Sequence, residues 1–440
     1  MQSFLNDKDD ATAQNIVNDK VVDTPPNKRG LGVAAAVFFI VGDVVGAGII
    51  TLPYTMKLVG WLGVPLFFIS AMLMCLCGIL LSKACLLAFS SIQNRDALRD
   101  PYPQLAEKSY GIIAKHSVTL ILNLSLVFTC IVFLLLLGEV FSKVAPLPTQ
   151  MVNNRNQLRI WFIVCGIVLL PLTFLGTPKD FPLIGFIATA CSFVAAILIM
   201  LNLAMTSHSV GYVVPKKTSA NFETILVVFG TIQFTFGGIA IFPTIQNDLQ
   251  HPEKFPYAVV IGYTIVFFIY TSVALSAFII LDEKIHEDIL TTFSEMPLFH
   301  TCVYFRAYVT IAQVLICGHV LCAFIMLVNP INQQMEALFD APLHFGWQRL
   351  VIRTTIVIVI VTIAIFVPNF GPVLSLAGGS FFSILSIILP ILFYCKLIDH
   401  LSFFKEILLG IIIIISVVAA VGNGYVEVIN VAKVIKGTYT

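Results

Sequence analysis

Long apolar blocks separated by short polar segments fill the chain from Gly32 to Val426. A helix needs about 20 apolar residues to cross the hydrocarbon core of a bilayer. The pattern therefore predicts an all-α protein with about eleven transmembrane helices. The predicted spans are residues 32–57, 60–90, 117–143, 159–175, 182–206, 222–246, 257–281, 299–328, 349–367, 371–395 and 405–427.

Polar segments flank this apolar region at both ends. We expect residues 1–31 to form a flexible cytosolic tail, residues 32–427 the transmembrane domain and residues 428–440 a short C-terminal tail. Lysine and arginine are more frequent in the predicted loops on the N-terminal side than in those on the other side, which favours a cytosolic N-terminus. The first apolar block lies too far from the N-terminus for a cleaved signal peptide, so we expect it to be retained.

Composition agrees with a chain surrounded by lipid. Hydrophobic residues make up 58% of the sequence and charged residues 11%, with a mean hydropathy of +0.96. A soluble domain carries roughly 25% charged residues, so this chain cannot cover a water-facing surface. The net charge of +1 and the absence of a basic run argue against a nucleic-acid partner. The ten cysteines lie mostly in apolar blocks and are expected to pack as small hydrophobic side chains.

Two spans contain glycines where a helix is expected to break. Span 1 carries the run Gly42–Gly48 and span 6 carries the run Thr231–Gly238. Glycine weakens a helix and lets a ligand approach bare backbone. Interrupted helices five spans apart are typical of an inverted-repeat transporter, with its substrate site at the middle of the membrane. Spans 1–5 and 6–10 would be the two repeats, and span 11 an addition.

A zwitterionic substrate fits two broken helices. The amides of the first break can receive a carboxylate at the positive end of the following half-helix, and carbonyl groups of both breaks can receive an ammonium group. A large side chain at Phe236 would line the pocket for the substrate side chain. The predicted substrate-binding residues are Val44, Gly46, Ala47, Gly48, Phe234, Thr235, Phe236, Gly237 and Gly238. The alternative is a close-packed helix pair, which also uses small residues.

Two titratable residues within the spans are candidates for ion or proton coupling. Asp43 lies in the first predicted break, and His319 lies in span 8. An aspartate buried in a membrane can bind and release a proton, or stay ionised and hold a cation or the substrate amine. An imidazole can carry a proton in the same way. The alternative for each is a purely structural side chain that is hydrogen-bonded to its neighbours.

Three segments resemble the amino acid/auxin permease family of the amino acid-polyamine-organocation superfamily. The run Gly42–Tyr54 is similar to the first-helix motif of that family, with its Gly-x-Gly followed by Leu-Pro. Phe234–Gly238, continued by Phe242–Asp248, resembles the sixth helix, and Ser375–Tyr394 the tenth. The resemblance covers about residues 30–427. It implies an eleven-helix, leucine-transporter-like fold and secondary active transport of amino acids, coupled to protons or, in some branches, to sodium.

Two positions depart from the family pattern. Animal members that couple to protons often have a histidine early in the first helix, whereas residues 34–39 contain none here. Gly237 stands near the place of an acidic residue of the sixth helix. Asp43 is our candidate to replace the missing histidine.

The sequence thus predicts a proton-coupled, or alternatively sodium-coupled, symporter of small or neutral amino acids. A gradient would supply the energy, since no ATP-binding loop and no cofactor motif is present. The expected location is the plasma membrane or a vacuolar or lysosomal membrane. A sensor that binds amino acids without transporting them is the competing hypothesis. An enzyme is not expected, because no catalytic constellation is visible.

Overall fold

The computed structural model describes residues 30–89, 100–145, 154–174, 181–210, 220–341, 346–367, 369–398 and 401–436. Apart from one isolated backbone bridge, these residues form helices and connecting turns. They include ten helical stretches that are long and apolar enough to cross a membrane, and a shorter apolar helix, Val33–Val44. The chain is a multi-pass integral membrane protein. Most of the predicted N-terminal tail, residues 1–29, lies outside the described residues.

We number the α-helices in chain order. The first half contains α1 (Val33–Val44), α2 (Gly48–Val59), α3 (Gly63–Phe89), α4 (Pro101–Tyr110), α5 (Ile112–Val144), α6 (Asn154–Phe174) and α7 (Phe181–Val210). The second half contains α8 (Phe222–Phe236), α9 (Phe242–Asn247), α10 (Phe255–Leu281), α11 (Ile289–Ser294), α12 (Pro297–Thr301), α13 (Val303–Leu338), α14 (Trp347–Phe366), α15 (Phe370–Ala377), α16 (Leu389–Leu397) and α17 (Phe403–Lys436). Two π-helical segments, Gly378–Phe382 and Ile384–Ile388, connect α15 to α16.

The ten long stretches and the eleven predicted spans describe the same architecture. The long stretch Gly48–Phe89 contains a 3₁₀ turn, Gly60–Leu62, at which the chain reverses. Gly60 has a φ of 62° there, a conformation that favours glycine. The turn assigns α2 to the first crossing, together with α1, and α3 to the second. Both predicted breaks are present, between α1 and α2 and between α8 and α9.

Several helices extend beyond the predicted apolar spans because polar residues at their ends have partners. Helix α13 continues to Leu338, where Glu336 pairs with Arg353 at 2.7 Å and Arg349 at 2.9 Å on α14. Arg353 also donates to the Thr173 carbonyl on α6. Helix α17 continues to Lys436, through residues that we placed in the C-terminal tail. Hydropathy alone does not detect such polar extensions.

The two broken helices lie at the centre of the bundle. Helix α10 packs against α1, α2 and α3, and α8 packs against α2, α15 and α17. Around them, α13 packs along α7, and α14 packs against α6. The breaks therefore face protein, where unwound backbone can be accommodated within a membrane.

Contacts between distant segments define the two membrane sides. On the side where α1 begins, Leu31 exchanges backbone hydrogen bonds with Asp248 and Gln250, directly after α9. We call this the α1 side. On the opposite side, the ammonium group of Lys57 at the end of α2 donates to the Ile285 carbonyl at 2.8 Å. Successive membrane crossings end on alternate sides, which places the start of α1 beside the end of α9 and the end of α2 beside the loop after α10.

Candidate functional site

The first break leaves backbone amides free. Helix α1 ends at Val44, and the Gly46 amide donates to the Val44 carbonyl at 3.0 Å. Helix α2 then begins at Gly48. Within the described part of the chain, the amides of Ala47 and Gly48 donate to no acceptor, although both residues are buried. Buried amides without an acceptor are rare in folded proteins, so this pair can receive an anionic group.

The second break depends on a glycine. Helix α8 ends at Phe236, and a 3₁₀ turn, Ile239–Ile241, leads into α9. Gly238, between them, has a φ of 129°, which side-chain-bearing residues rarely adopt. A methyl carbon added at Gly238 would lie 2.5 Å from Asp43 Oδ2. The carboxylate of the first broken helix is therefore packed against the backbone of the second.

Asp43 is exposed although it lies in the first broken helix. Its neighbours Gly42 and Val44 are buried, and its carboxylate lies against the backbone of the second broken helix. Gly238, which it contacts, is half-buried. The carboxylate can therefore exchange protons or bind a cationic group from water without leaving the interior.

Exposed residues follow the second break on the α1 side. Ile241, Thr244 and Asp248, spaced along one face of the chain through α9, are exposed. The residues on the other side of the break are buried instead, including Gly48 to Pro53 in α2. Among these residues, the exposed ones therefore lie on the α1 side of the breaks and the buried ones on the opposite side.

Loop residues between α10 and α11 make polar contacts with neighbouring helices on the opposite side. The Gly371 amide at the start of α15 donates to Glu287 Oε2 at 3.2 Å, and Asp288 caps α11 through the amides of Leu290 and Thr291. Burial raises the pKa of Glu287 above its ordinary value, although the Gly371 amide and His286 counteract part of this effect. Burial therefore favours the protonated form of the Glu287 carboxyl.

His319 contacts the first break from α13. Its Nδ1 lies 3.1 Å from the Ala188 carbonyl oxygen and 2.8 Å from the Ser192 hydroxyl, both on α7. A carbonyl can only accept, so Nδ1 carries the proton in the neutral ring and Nε2 is left as an acceptor. A methyl carbon added at Gly46 would lie 2.8 Å from Nε2. The basic nitrogen therefore faces the unwound backbone.

A tyrosine of α10 connects the two breaks. The Tyr270 hydroxyl donates to the Val44 carbonyl at 2.5 Å and lies 3.2 Å from the Thr235 carbonyl oxygen. Its ring packs edge-on against Phe236, with 5.2 Å between ring centroids. Seven residues earlier on the same helix, Tyr263 donates to the Phe236 carbonyl at 3.1 Å. Together the two hydroxyls satisfy carbonyl groups that the broken helices leave free.

The structure brings the predicted site residues together. Gly48 lies against Tyr270 and Thr235, and Gly237 lies against Phe382 of the first π-helical segment. Asp43 and His319 approach the site from α1 and α13. We expected carbonyl groups of both breaks to receive an ammonium group, but one carbonyl of each break, that of Val44 and that of Thr235, faces the Tyr270 hydroxyl. A carbonyl oxygen has two lone pairs, so each retains some capacity to accept.

Sequence reasoning missed several residues of the site. Tyr263 and Tyr270 are spaced seven residues apart in an apolar span, which places both hydroxyls on one helix face. That spacing was a detectable signal. Ser192 and Phe382 gave none, because a serine or a phenylalanine within a membrane span is ordinary.

Comparison with known proteins agrees with this architecture. A family model described as transmembrane amino acid transporter protein matches residues 29–429. The amino acid transporter AVT1E of Arabidopsis thaliana is 23% identical over 410 residues, which cover 91% of this chain and 74% of that protein. The amino acid transporter AVT1D of the same plant is 24% identical over 359 residues, which cover 80% of this chain and 61% of that protein.

The same architecture occurs among solved structures. The crystal structure of MhsT in complex with L-phenylalanine matches with a TM-score of 0.59 at 13% identity, covering 91% of this chain and 100% of that one. The likeness confirms the predicted leucine-transporter-like fold.

Proposed function

Because the chain belongs to the family of transmembrane amino acid transporters, we propose that it is a proton-coupled symporter of small neutral amino acids that works by alternating access. Membership of this family makes the chain a transporter and not an enzyme. The observation that supports proton coupling best is the position of Asp43, an exposed carboxylate of the first broken helix that packs against the backbone of the second.

The two breaks supply groups for an amino acid. The free amides of Ala47 and Gly48 receive the α-carboxylate, helped by the positive end of α2. The ammonium group binds beside Asp43 and the remaining carbonyl lone pairs of Val44, Phe234 and Thr235. The substrate side chain then points toward Phe236 and the second break, at Gly237 and Gly238.

Asp43 and His319 carry the coupling proton in this proposal. Asp43 takes the proton from water, and His319 presents a basic Nε2 to Gly46 on the other side of the same break. Protonation of either group changes the charge that faces the substrate. A charge change next to an unwound segment biases the equilibrium between the two open states.

Tyr270 favours proton coupling over sodium coupling. In transporters with broken helices, unwound carbonyl groups often coordinate the sodium ion. Here the Tyr270 hydroxyl already donates to the Val44 carbonyl and lies near that of Thr235. A sodium ion at these oxygens would have to share them with the hydroxyl and compete with the substrate ammonium group for the remaining lone pairs. The gradient of protons is therefore the proposed energy source, with no cofactor.

The proposed orientation rests on the distribution of positive charge. The α1 side, where lysine and arginine are more frequent in the predicted loops, faces the cytosol, in the plasma membrane or in a vacuolar or lysosomal membrane. A compartment more acidic than the cytosol on the opposite side would drive the proton and the amino acid inward to the cytosol.

Uptake into proteoliposomes tests the proposed function. Radiolabelled alanine, glycine and proline are supplied to vesicles that contain the purified protein, with an imposed inward proton gradient, with and without sodium. Accumulation that requires the proton gradient and not sodium is expected. Accumulation that requires sodium would overturn the coupling ion, and binding without accumulation under any gradient would favour the sensor.

Substituting Tyr270 by phenylalanine is expected to weaken alanine binding. The two breaks then lose the hydroxyl that connects them and holds the binding groups in position, and we expect roughly a tenfold rise in the half-saturating alanine concentration, equivalent to about 1.4 kcal/mol. Tyr257→Phe is the matched control, since Tyr257 lies on the same helix and is exposed. An equal response of both variants in concentration-dependent uptake would refute the role of the buried hydroxyl.

Exchange of His319 for asparagine is expected to separate binding from coupling. An asparagine amide can still donate to the Ala188 carbonyl, but it cannot take up a proton. The variant should still exchange external alanine for alanine inside the vesicles. Accumulation of alanine driven by the proton gradient should be lost. Proton-driven accumulation at the unmodified level would assign His319 a structural role only.

A further inference from the structure

We propose that Phe382 sets the upper size limit for the substrate side chain. The inference rests on the proposed function, because it assigns a specificity-determining residue to the same site. It concerns a residue of the π-helical segment between α15 and α16, which lies across the second break from Asp43.

The Phe382 ring covers the backbone of the second break. A methyl carbon added at Gly237 would overlap Cδ1 of Phe382 and lie 3.1 Å from Cε1. The ring also contacts Phe234 on α8, with 5.2 Å between centroids. Phe382 is half-buried although its helix is internal, whereas Gly237 and Phe234 are buried. The ring thus keeps part of its surface exposed while it packs against Gly237, one of the proposed substrate-binding residues.

Tight backbone packing holds this ring in place. Gly378 at the start of the π-helical segment lies directly against the Gly230 carbonyl of α8, and Gly379 lies against the Asn423 side chain of α17. Asn423 donates to the Leu226 carbonyl and to the Ser375 hydroxyl, both at 2.9 Å. These contacts fix the segment to α8 and α17 just before Phe382. The ring is therefore a firm wall and cannot retreat easily from a larger substrate.

The π-helical geometry supports a functional reading of this wall. Single π-helical turns are rare and occur frequently at functional sites, because they change the direction of the side chains that follow. Here the turn ends at Phe382 itself. A bulky substrate side chain next to Gly237 would collide with the ring, whereas alanine or glycine would not.

Trimming Phe382 tests the proposal. In Phe382→Ala, the ratio of leucine to alanine transport efficiency (kcat/KM) is expected to rise about tenfold or more. Removal of the ring enlarges the pocket for the substrate side chain, so a large side chain is excluded less strongly. Phe381→Ala is the matched control, because the Phe381 ring packs against Phe128 of α5 with 5.0 Å between centroids. The control should leave the ratio unchanged. Both variants are assayed for thermal unfolding alongside the unmodified protein.

Each outcome of this experiment is decisive. An unchanged ratio in Phe382→Ala, with alanine transport retained, would overturn the proposal, as would an equal rise in Phe381→Ala. If Phe382→Ala does not fold, Phe382→Leu provides the same test with a smaller change in volume, and the same criterion applies to it. Failure of the unmodified protein to transport any amino acid would instead overturn the proposed function, and this result is distinguishable from a changed ratio.

Discussion

Substituting Gly48 by leucine is expected to abolish amino acid binding and transport. A carbon added at Gly48 would lie 2.5 Å from the Tyr270 hydroxyl oxygen and 2.9 Å from Thr235 Cβ. The added side chain would force apart the two segments that Tyr270 connects and would fill the space above the free amides of the first break. Overpacking of this kind costs about 1–3 kcal/mol, which a large membrane bundle can tolerate. The protein should therefore stay folded and inserted.

Binding and folding are measured separately in this test. Uptake of radiolabelled alanine reports the site, and the thermal unfolding midpoint reports the fold. Gly410→Leu is the matched control, because a carbon added at Gly410 on α17 meets open space. Alanine uptake by Gly48→Leu at the level of the unmodified protein would contradict a substrate site at the first break.

Replacing Asp43 by asparagine is expected to remove the pH dependence of transport. Asparagine is close in shape to the protonated aspartate but cannot release a proton. Exchange of alanine should continue, while accumulation under a proton gradient should fall to the level of protein-free liposomes. The physical reason is that Asp43 is the group that takes the proton from water in this proposal, so the gradient cannot load a proton onto the site of the variant.

The pH profile of exchange provides the second readout. It should be flat in Asp43→Asn and should vary with pH in the unmodified protein. Glu223→Gln is the control, since Glu223 is exposed in the first turn of α8, far along the chain from the break. A pH profile in Asp43→Asn that matches that of the unmodified protein would leave Asp43 a structural role only.

Local sequence patterns were sufficient for the main features of the fold. Apolar length predicts the crossings, and the glycines at Gly46, Gly48, Gly237 and Gly238 predict where two of them break. These features depend on a few neighbouring residues, which a single sequence contains. The resemblance to the amino acid/auxin permease family is confirmed by the family match over residues 29–429.

Contacts between distant spans could not be predicted in the same way. His319 and Gly46 belong to different repeats, and nothing in either segment specifies that the imidazole Nε2 faces that glycine. Tyr270 is a similar case, because its role depends on two carbonyl groups in two other helices. Side-chain registry across a bundle follows from how all helices pack, and it requires the three-dimensional structure.

The central claim is that amino acid and proton cross together through the two breaks. We would test it with purified protein in liposomes that contain a pH-sensitive dye, with the membrane potential clamped and no imposed pH gradient. Addition of alanine outside should acidify the interior in the absence of sodium, and Asp43→Asn should abolish the signal. Entry of radiolabelled alanine with no change of internal pH would contradict the account.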